Sequence, residues 1–249
     1  MKNILNKKLI QRYSRQIILK DVGPIGQKKI INSKVLVVGA GGLGCPVIDY
    51  LSRAGVGNIG IVDNDKVNIS NIHRQSLYTS KDVGKFKVNS VKEKIKLINP
   101  KVKIKTFKER IDNKNIEKIF KSYDFIVDGS DNFKTKFLLN KYCLNQKKIL
   151  IVGAISKMDG HIFTFDFKNK NDPCLKCFYQ TEPSDEILNC EFEGILGPVA
   201  GIVGNIQAIE VLKKILSLKK DSNKKILILD LLNLNFRKVK INKKKQCVC

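Results

Sequence analysis

Nowhere in the chain does an apolar run approach the ~18 residues that a membrane span needs. The N-terminus, Met1 to Leu9, alternates Lys and Asn with Ile and Leu and lacks the compact apolar stretch of a signal peptide. A cytoplasmic protein without a membrane partner is expected. Histidine is scarce: His73 and His161 accompany no Cys or Asp motif and read as structural or surface residues. Acidic residues are few as well, 23 against 47 Lys and Arg, for a net charge of +24. Such an excess invites a nucleic-acid reading, because cations displace the counterions of phosphates. The lysines, however, are scattered through every segment with Asn and Ile. No RRM-like, zinc-finger or helix-turn-helix pattern accompanies them, and aromatic residues are not interleaved for base stacking. No specific nucleic-acid partner is expected, whereas steering of an acidic partner protein is compatible with the charge. Internal repeats and low-complexity linkers are absent too, so the 249 residues are read as one unit with a sizeable core.

What is present is a rhythm. Val35 to Val38 is a short β-branched run of the kind buried on both faces. A glycine loop follows, then helical spacing from Leu43 to Arg53, a strand over Asn58–Asp63, an amphipathic helix over Lys85–Ile98 ahead of Pro100, and a strand over Lys101–Phe107. Asn115–Lys121 and Asn132–Asn145 read as helices, and Phe125–Asp128 and Ile149–Ala154 as strands. Alternation of this kind predicts an α/β fold with a Rossmann-like, mostly parallel sheet and right-handed crossovers. From Gly160 the pattern changes. An antiparallel strand over Ile162–Phe167 leads to a cysteine-bearing loop and a polar crossover over Thr181–Gly194. A long helix over Gly197–Leu218 and strands over Ile226–Asp230 and Phe236–Ile241 extend the sheet.

Gly39-Ala-Gly41-Gly42-Leu-Gly44 matches G-x-G-x-x-G between a predicted strand and a predicted helix. Glycines let the backbone approach a phosphate, and the helix N-terminus supplies N–H groups and a positive dipole end. Asp63 closes the next strand about 20 residues on, where a carboxylate can hold ribose hydroxyls. These features do not distinguish NAD from ATP. The following stretch does: Asp65, Asn68, Asn71, Arg74 and Gln75 crowd together and Lys87 opens the next helix. Nucleotidyl transfer needs cations where charge builds on a phosphate, whereas hydride transfer has little use for them. Asp131, just past a strand end, is placed to ligate Mg²⁺.

Arg12-Tyr-Ser-Arg15-Gln-Ile, Val38 to Gly44, Ala54-Gly-Val-Gly57, Ser70-Asn-Ile-His-Arg-Gln75, Val83-Gly-Lys-Phe-Lys87, Ile98-Asn-Pro100 and Gly129-Ser-Asp-Asn132 together resemble the ThiF/MoeB/HesA family, bacterial relatives of ubiquitin-activating enzymes. The resemblance implies one ThiF-type domain over 1–249: a helical arm at 1–33, a nucleotide-binding half at 34–155, and a carrier-binding and zinc half at 156–249. It implies a homodimer that binds ATP·Mg²⁺ and adenylates the C-terminal carboxylate of a small ubiquitin-fold sulfur carrier ending in Gly-Gly. In that reading Asp63 holds the ribose, with Asp65, Gln75 and Asn132 beside the nucleotide. Asn71, Arg74 and Lys87 contact phosphates, Asp131 coordinates Mg²⁺, and Arg15 reaches the partner subunit's site. An NAD-dependent oxidoreductase and an enzyme of the same superfamily that activates a carboxylate on tRNA are the alternatives.

Seven cysteines in such a chain point to metal or chemistry rather than a disulfide framework. Cys174-Leu-Lys-Cys177 has the spacing of half a zinc site. The family completes the site with a second C-x₂-C, where this chain ends in Cys247-Val-Cys249. A structural Cys₄ Zn²⁺ site is expected. The thiamine-pathway branch forms a covalent sulfur link through a cysteine near Cys190, while molybdenum-cofactor homologues carry a cysteine there without using it. Glu191, Glu193, Asp185 and Glu186 surround Cys190 in sequence and disfavour a thiolate. Asn189-Cys190 and Gly197-Pro-Val lean towards the thiamine type. Cys45 and Cys143 are expected as packed small residues on helices.

Overall fold

The computed structural model describes residues 5–169, 172–179, 181–183, 194–218, 224–244 and 247. In chain order the strands are β1 (Lys34–Val38), β2 (Asn58–Val62), β3 (Lys103–Phe107), β4 (Phe125–Asp128), β5 (Ile149–Ser156), β6 (Asp159–Asp166), β7 (Lys225–Asp230) and β8 (Asn235–Lys240). The helices are α1 (Lys7–Ile17), α2 (Gly23–Asn32), α3 (Gly44–Ala54), α4 (Lys87–Ile98), α5 (Ile116–Phe120), α6 (Phe133–Asn145), α7 (Leu175–Phe178) and α8 (Gly197–Ile215). All eight strands join one sheet in the order β3-β2-β1-β4-β5-β6-β7-β8. Pairings from β3 to β5 are parallel and those from β5 to β8 antiparallel. The expected Rossmann-like sheet with an antiparallel extension is what the chain builds.

The parallel strands β1, β2 and β4 are apolar because both faces are covered, whereas the edge strand β3 alternates Lys with apolar residues and stays partly exposed. Val35 and Val37 face one core with Ile48, Leu51, Val91 and Ile95 of α3 and α4. Leu36 and Val38 face the other with Ile116, Phe120 and Leu139 of α5 and α6. Period-2 alternation within a continuously apolar strand therefore serves two layers. β1 lies between β2 and β4: the chain leaves β1 for β2 on one side and crosses over from β3 to β4 on the other, which opens a crevice at the carboxyl ends of β1 and β4.

Several boundaries differ from the sequence expectation by one to three residues, two of them for reasons the structure shows. The fourth helix begins at Lys87 rather than Lys85, because Phe86 is extended and bridges Lys66. β6 starts at Asp159 instead of Ile162, since a tight hairpin with Lys157 at φ 52° continues the β5 pairing to its end. α8 tolerates Pro198 in its first turn, where no N–H is needed. Its Gly204 lies against α3: a Cβ there would come within 2.5 Å of the Leu43 carbonyl oxygen. Most of the polar crossover, 184–193, lies outside the described residues, as does Cys190. Among the described residues, no helix is long and apolar enough to cross a membrane.

Candidate active site

A cavity of about 450 Å³ opens at the carboxyl ends of β1, β2 and β4. Its floor is the glycine loop, where Gly39 adopts φ +92° and approaches Gly129 so closely that a Cβ would meet the Gly129 oxygen at 2.7 Å. Ala40 ties this loop down from two sides. Its N–H donates to Asp63 Oδ2 (2.8 Å), and its carbonyl accepts from the Tyr78 hydroxyl (2.7 Å) and the Cys45 thiol (3.4 Å). The other Asp63 oxygen accepts the Asp65 N–H at 2.8 Å. Burial pushes the Asp63 carboxyl above its usual range, opposed by Lys87 and by the two donated N–H groups. Burial also drives the Cys45 thiol up to about 12, so Cys45 is a packed neutral thiol. Cys143 behaves likewise, buried and raised by desolvation.

Eight of the expected nucleotide-site side chains line this one cavity: Asp63, Asp65, Asn71, Arg74, Gln75, Lys87, Asp131 and Asn132, together with Gly39, Gly41 and Gly42; Gly44 is buried at the start of α3 and does not line it. The Lys87 side chain, only 7 % exposed, pairs through its ammonium with Asp65 at 2.8 Å, while the Asp65 side chain is 57 % exposed. Asn68 and Asn71 form a reciprocal cap that closes a 3₁₀ turn at Ile69–Asn71. Arg74 hangs from this turn, its Nη1 donating to the Ser70 carbonyl (2.9 Å) and meeting His73 Nε2 at 2.8 Å. Gln75 is buried, and its Oε1 has no hydrogen-bond partner among the described residues. An orphaned acceptor in a pocket wall is a feature that a ligand donor satisfies. Asn132 caps α6 by accepting the Thr135 N–H at 2.9 Å. Asp131 is exposed to the cavity, and no ion pair neutralises it among the described residues. Asp63, Asp65, Glu109 and Asp131 all line this cavity beside Arg74 and Lys87, but among the described residues no three carboxylates come close enough to form a ready-made metal cluster.

Arg15 is not in this cavity. It lies on α1, exposed, beside a second cavity of about 520 Å³ shared with Arg12, Tyr50, Arg53, Ile209 and Leu212. The chain's own fold therefore does not bring Arg15 to the glycine loop. The Cys174, Cys177 and Cys247 sulfurs lie within 4.8 Å of one another, with Cys174 and Cys247 at 3.6 Å. Tetrahedral thiolates around Zn²⁺, each about 2.3 Å from the ion, stand about 3.8 Å apart, so the cluster fits that metal. Cys249 lies outside the described residues.

Tyr78, Glu109, Arg110, Ser130 and Lys136 escaped the sequence reading. Glu109, Arg110 and Ser130 line the cavity, while Tyr78 and Lys136 hold its walls from behind. Position right after β3 and β4 was the available signal for Glu109, Arg110 and Ser130, since ligands bind beyond strand carboxyl ends. Basic and aromatic residues do meet in space: Lys66 and Lys108 cover the Phe86 ring at 5.4 and 5.2 Å.

The ThiF family model matches residues 13–249. A sulfur carrier protein adenylyltransferase from Thermus thermophilus is 38% identical over 98% of this chain and 92% of its own length. A probable molybdopterin-synthase adenylyltransferase from Gracilaria tenuistipitata is 38% identical over 93% of this chain and 64% of its own. An adenylyltransferase and sulfurtransferase MOCS3 from Aedes aegypti is 41% identical over 98% of this chain, which spans 55% of that relative. Crystal structures of Escherichia coli MccB share the fold, one with a TM-score of 0.84 at 22% identity, covering 98% of this chain and 75% of that one. The chain belongs to the ThiF family and is a nucleotidyltransferase.

Proposed function

We propose that this enzyme adenylates the C-terminal Gly-Gly carboxylate of a small ubiquitin-fold sulfur carrier, using ATP and Mg²⁺. The observation that carries the reading is the convergence of Arg74, Lys87, Asn71 and Asp131 on the cavity above the glycine loop. A carrier carboxylate oxygen attacks the α-phosphorus, an acyl–O–P bond forms, the α,β-phosphoanhydride breaks and pyrophosphate leaves. The nucleophile is already an anion, so no proton has to be removed. Catalysis then rests on positioning and on neutralising charge. In this reading Asp63 keeps lone pairs for ribose hydroxyls, Arg74 and Asn71 take phosphate oxygens, and Lys87 exchanges part of its Asp65 contact for phosphate. Asp131 holds Mg²⁺, which supplies charge neutralisation when bound.

Arg15 acts in trans in this proposal. Its exposure on α1, among apolar and arginine side chains that form a second cavity, suits a face covered by a second copy of the chain. Cys174, Cys177 and Cys247 hold a structural Zn²⁺, with Cys249 as the fourth thiolate. Cys190 is the candidate for a covalent sulfur link in a thiamine-type pathway, the lean that Asn189-Cys190 and Gly197-Pro-Val support. The names of the relatives speak for sulfur carriers generally and for molybdopterin synthase. Pull-down of the carrier from the source cells decides between them. ATP–pyrophosphate exchange tests the reaction itself: exchange that needs a Gly-Gly-ending carrier supports it, and its absence with both carrier types refutes it.

A further inference from the structure

Two lysines are buried among the described residues: Lys87 in the cavity wall and Lys136, 1 % exposed, behind it. Lys136 lies on α6 and has no part in the chemistry above. Its ammonium has three donors, and three oxygens receive them: Asp128 Oδ2 at 3.2 Å, the Ser130 carbonyl at 2.8 Å and the Gly153 carbonyl at 2.7 Å. The remaining Asp128 oxygen accepts both the Ser130 N–H (2.9 Å) and the Ser130 hydroxyl (2.6 Å). These acceptors belong to two segments. One is the turn after β4 that leads into Asp131. The other is β5 just before Ala154 and Ile155, which line the same cavity. A buried ion pair is often no more stabilising than apolar side chains of the same shape, so stability alone does not account for it. What it does provide is a set of charge-assisted hydrogen bonds with fixed directions that ties the turn after β4 to the middle of β5 at Gly153.

We propose that Lys136 is a positioning residue that pins the Ser130–Asp131 turn to β5 at Gly153, so that the Asp131 carboxylate is held facing the cavity in one arrangement. The inference rests on the ATP·Mg²⁺ reading of this site and assigns the metal-facing geometry of Asp131 to a side chain that touches neither metal nor nucleotide. Residues that orient a metal ligand typically change metal affinity about 10- to 100-fold when removed.

Lys136→Met keeps the length of the side chain and removes its charge and donors. The experiment is calorimetric titration of the full-length protein with ATP, once with excess Mg²⁺ and once with EDTA. The expected result is a Kd for Mg·ATP weakened ~10-fold, metal-free ATP binding unchanged, and partial recovery in Lys136→Arg. Ile95→Ala, a core truncation remote from the site, is expected to lower thermal stability without this selectivity. Should Lys136→Met fail to fold, Ser130→Ala tests the same turn, removing the hydroxyl bond to Asp128 without unpairing a buried charge. It predicts the same selective loss in smaller measure. Equal weakening of both ATP forms, or of neither, overturns the proposal while leaving the adenylation reading intact. Wild-type protein that binds no ATP at all overturns that reading and this inference together.

Discussion

At the scale of single residues, the site divides into groups that sequence order exposes and groups that only folding brings together. Asp63, Lys87 and Asp131 were legible because each stands at or just past a strand end or at a helix start, and Arg74 because it sits in a polar run that matches a family motif; the topology brings all four to one cavity. Tyr78, Lys136 and Gln207 were not. Each is a buried polar side chain whose partner lies far along the chain: the Ala40 carbonyl, the Gly153 carbonyl and the Asp128 carbonyl. No local pattern records such a meeting. Arg74 is predicted to matter in the transition state rather than for folding. Arg74→Ala should lower kcat on the order of 10²–10³-fold with an unchanged melting temperature, read by carrier-dependent exchange and thermal scans. His161 yields a prediction about pH. Burial and Arg237 hold its imidazole below the ordinary histidine value, against the pull of Asp159. Above about pH 6.5 both folded and unfolded histidine are neutral and the group contributes nothing. As pH falls through 6.5 the unfolded chain takes up a proton that the folded one resists, so stability drops. Denaturant midpoints measured from pH 7.5 to 5 should therefore fall less steeply in His161→Gln than in the parent.

Among elements, α8 is the best case of tertiary packing overriding propensity. Replacing glycine by alanine inside a helix ordinarily stabilises by about 0.5–1 kcal/mol. Gly204→Ala should instead destabilise by about 1–3 kcal/mol in urea unfolding, because its Cβ would collide with the Leu43 carbonyl. The strand and helix pattern itself was readable almost throughout, since β-branched runs and amphipathic spacing were unambiguous. Boundaries slipped where local geometry was set by pairing across the sheet, as at Phe86 and the β5–β6 hairpin. The cysteine cluster joins two elements remote in sequence, α7 and the tail at Cys247. Half of it was legible as C-x₂-C and Cys247 came from the family resemblance; the structure brings its sulfur within 3.6 Å of Cys174. Elemental analysis should find about one zinc per chain, and Cys177→Ser or strong chelation should remove it and lower the melting temperature.

For the whole molecule, the fold class followed from the order of elements alone, whereas the place of Arg15 did not. Spacing cannot report a contact between two copies, and within one copy Arg15 stands at a separate cavity. If Arg15 serves a second subunit's site, two inactive variants should rescue each other. Mixed dimers of Arg15→Ala and Asp131→Ala contain one site with an intact Asp131 facing an intact Arg15, and exchange activity should return on mixing. Failure of rescue, with dimers demonstrably mixed, places Arg15 outside the reaction.

The central claim, that the cavity above Gly39–Gly44 serves adenylation of a protein C-terminus, is tested most directly by ATP–pyrophosphate exchange with purified Gly-Gly-ending sulfur carriers. The account predicts exchange only when a carrier is present, its loss on removal of the carrier's last glycine, and carrier mass increased by one adenylate. Exchange that proceeds equally without a carrier, or never with any of them, contradicts it.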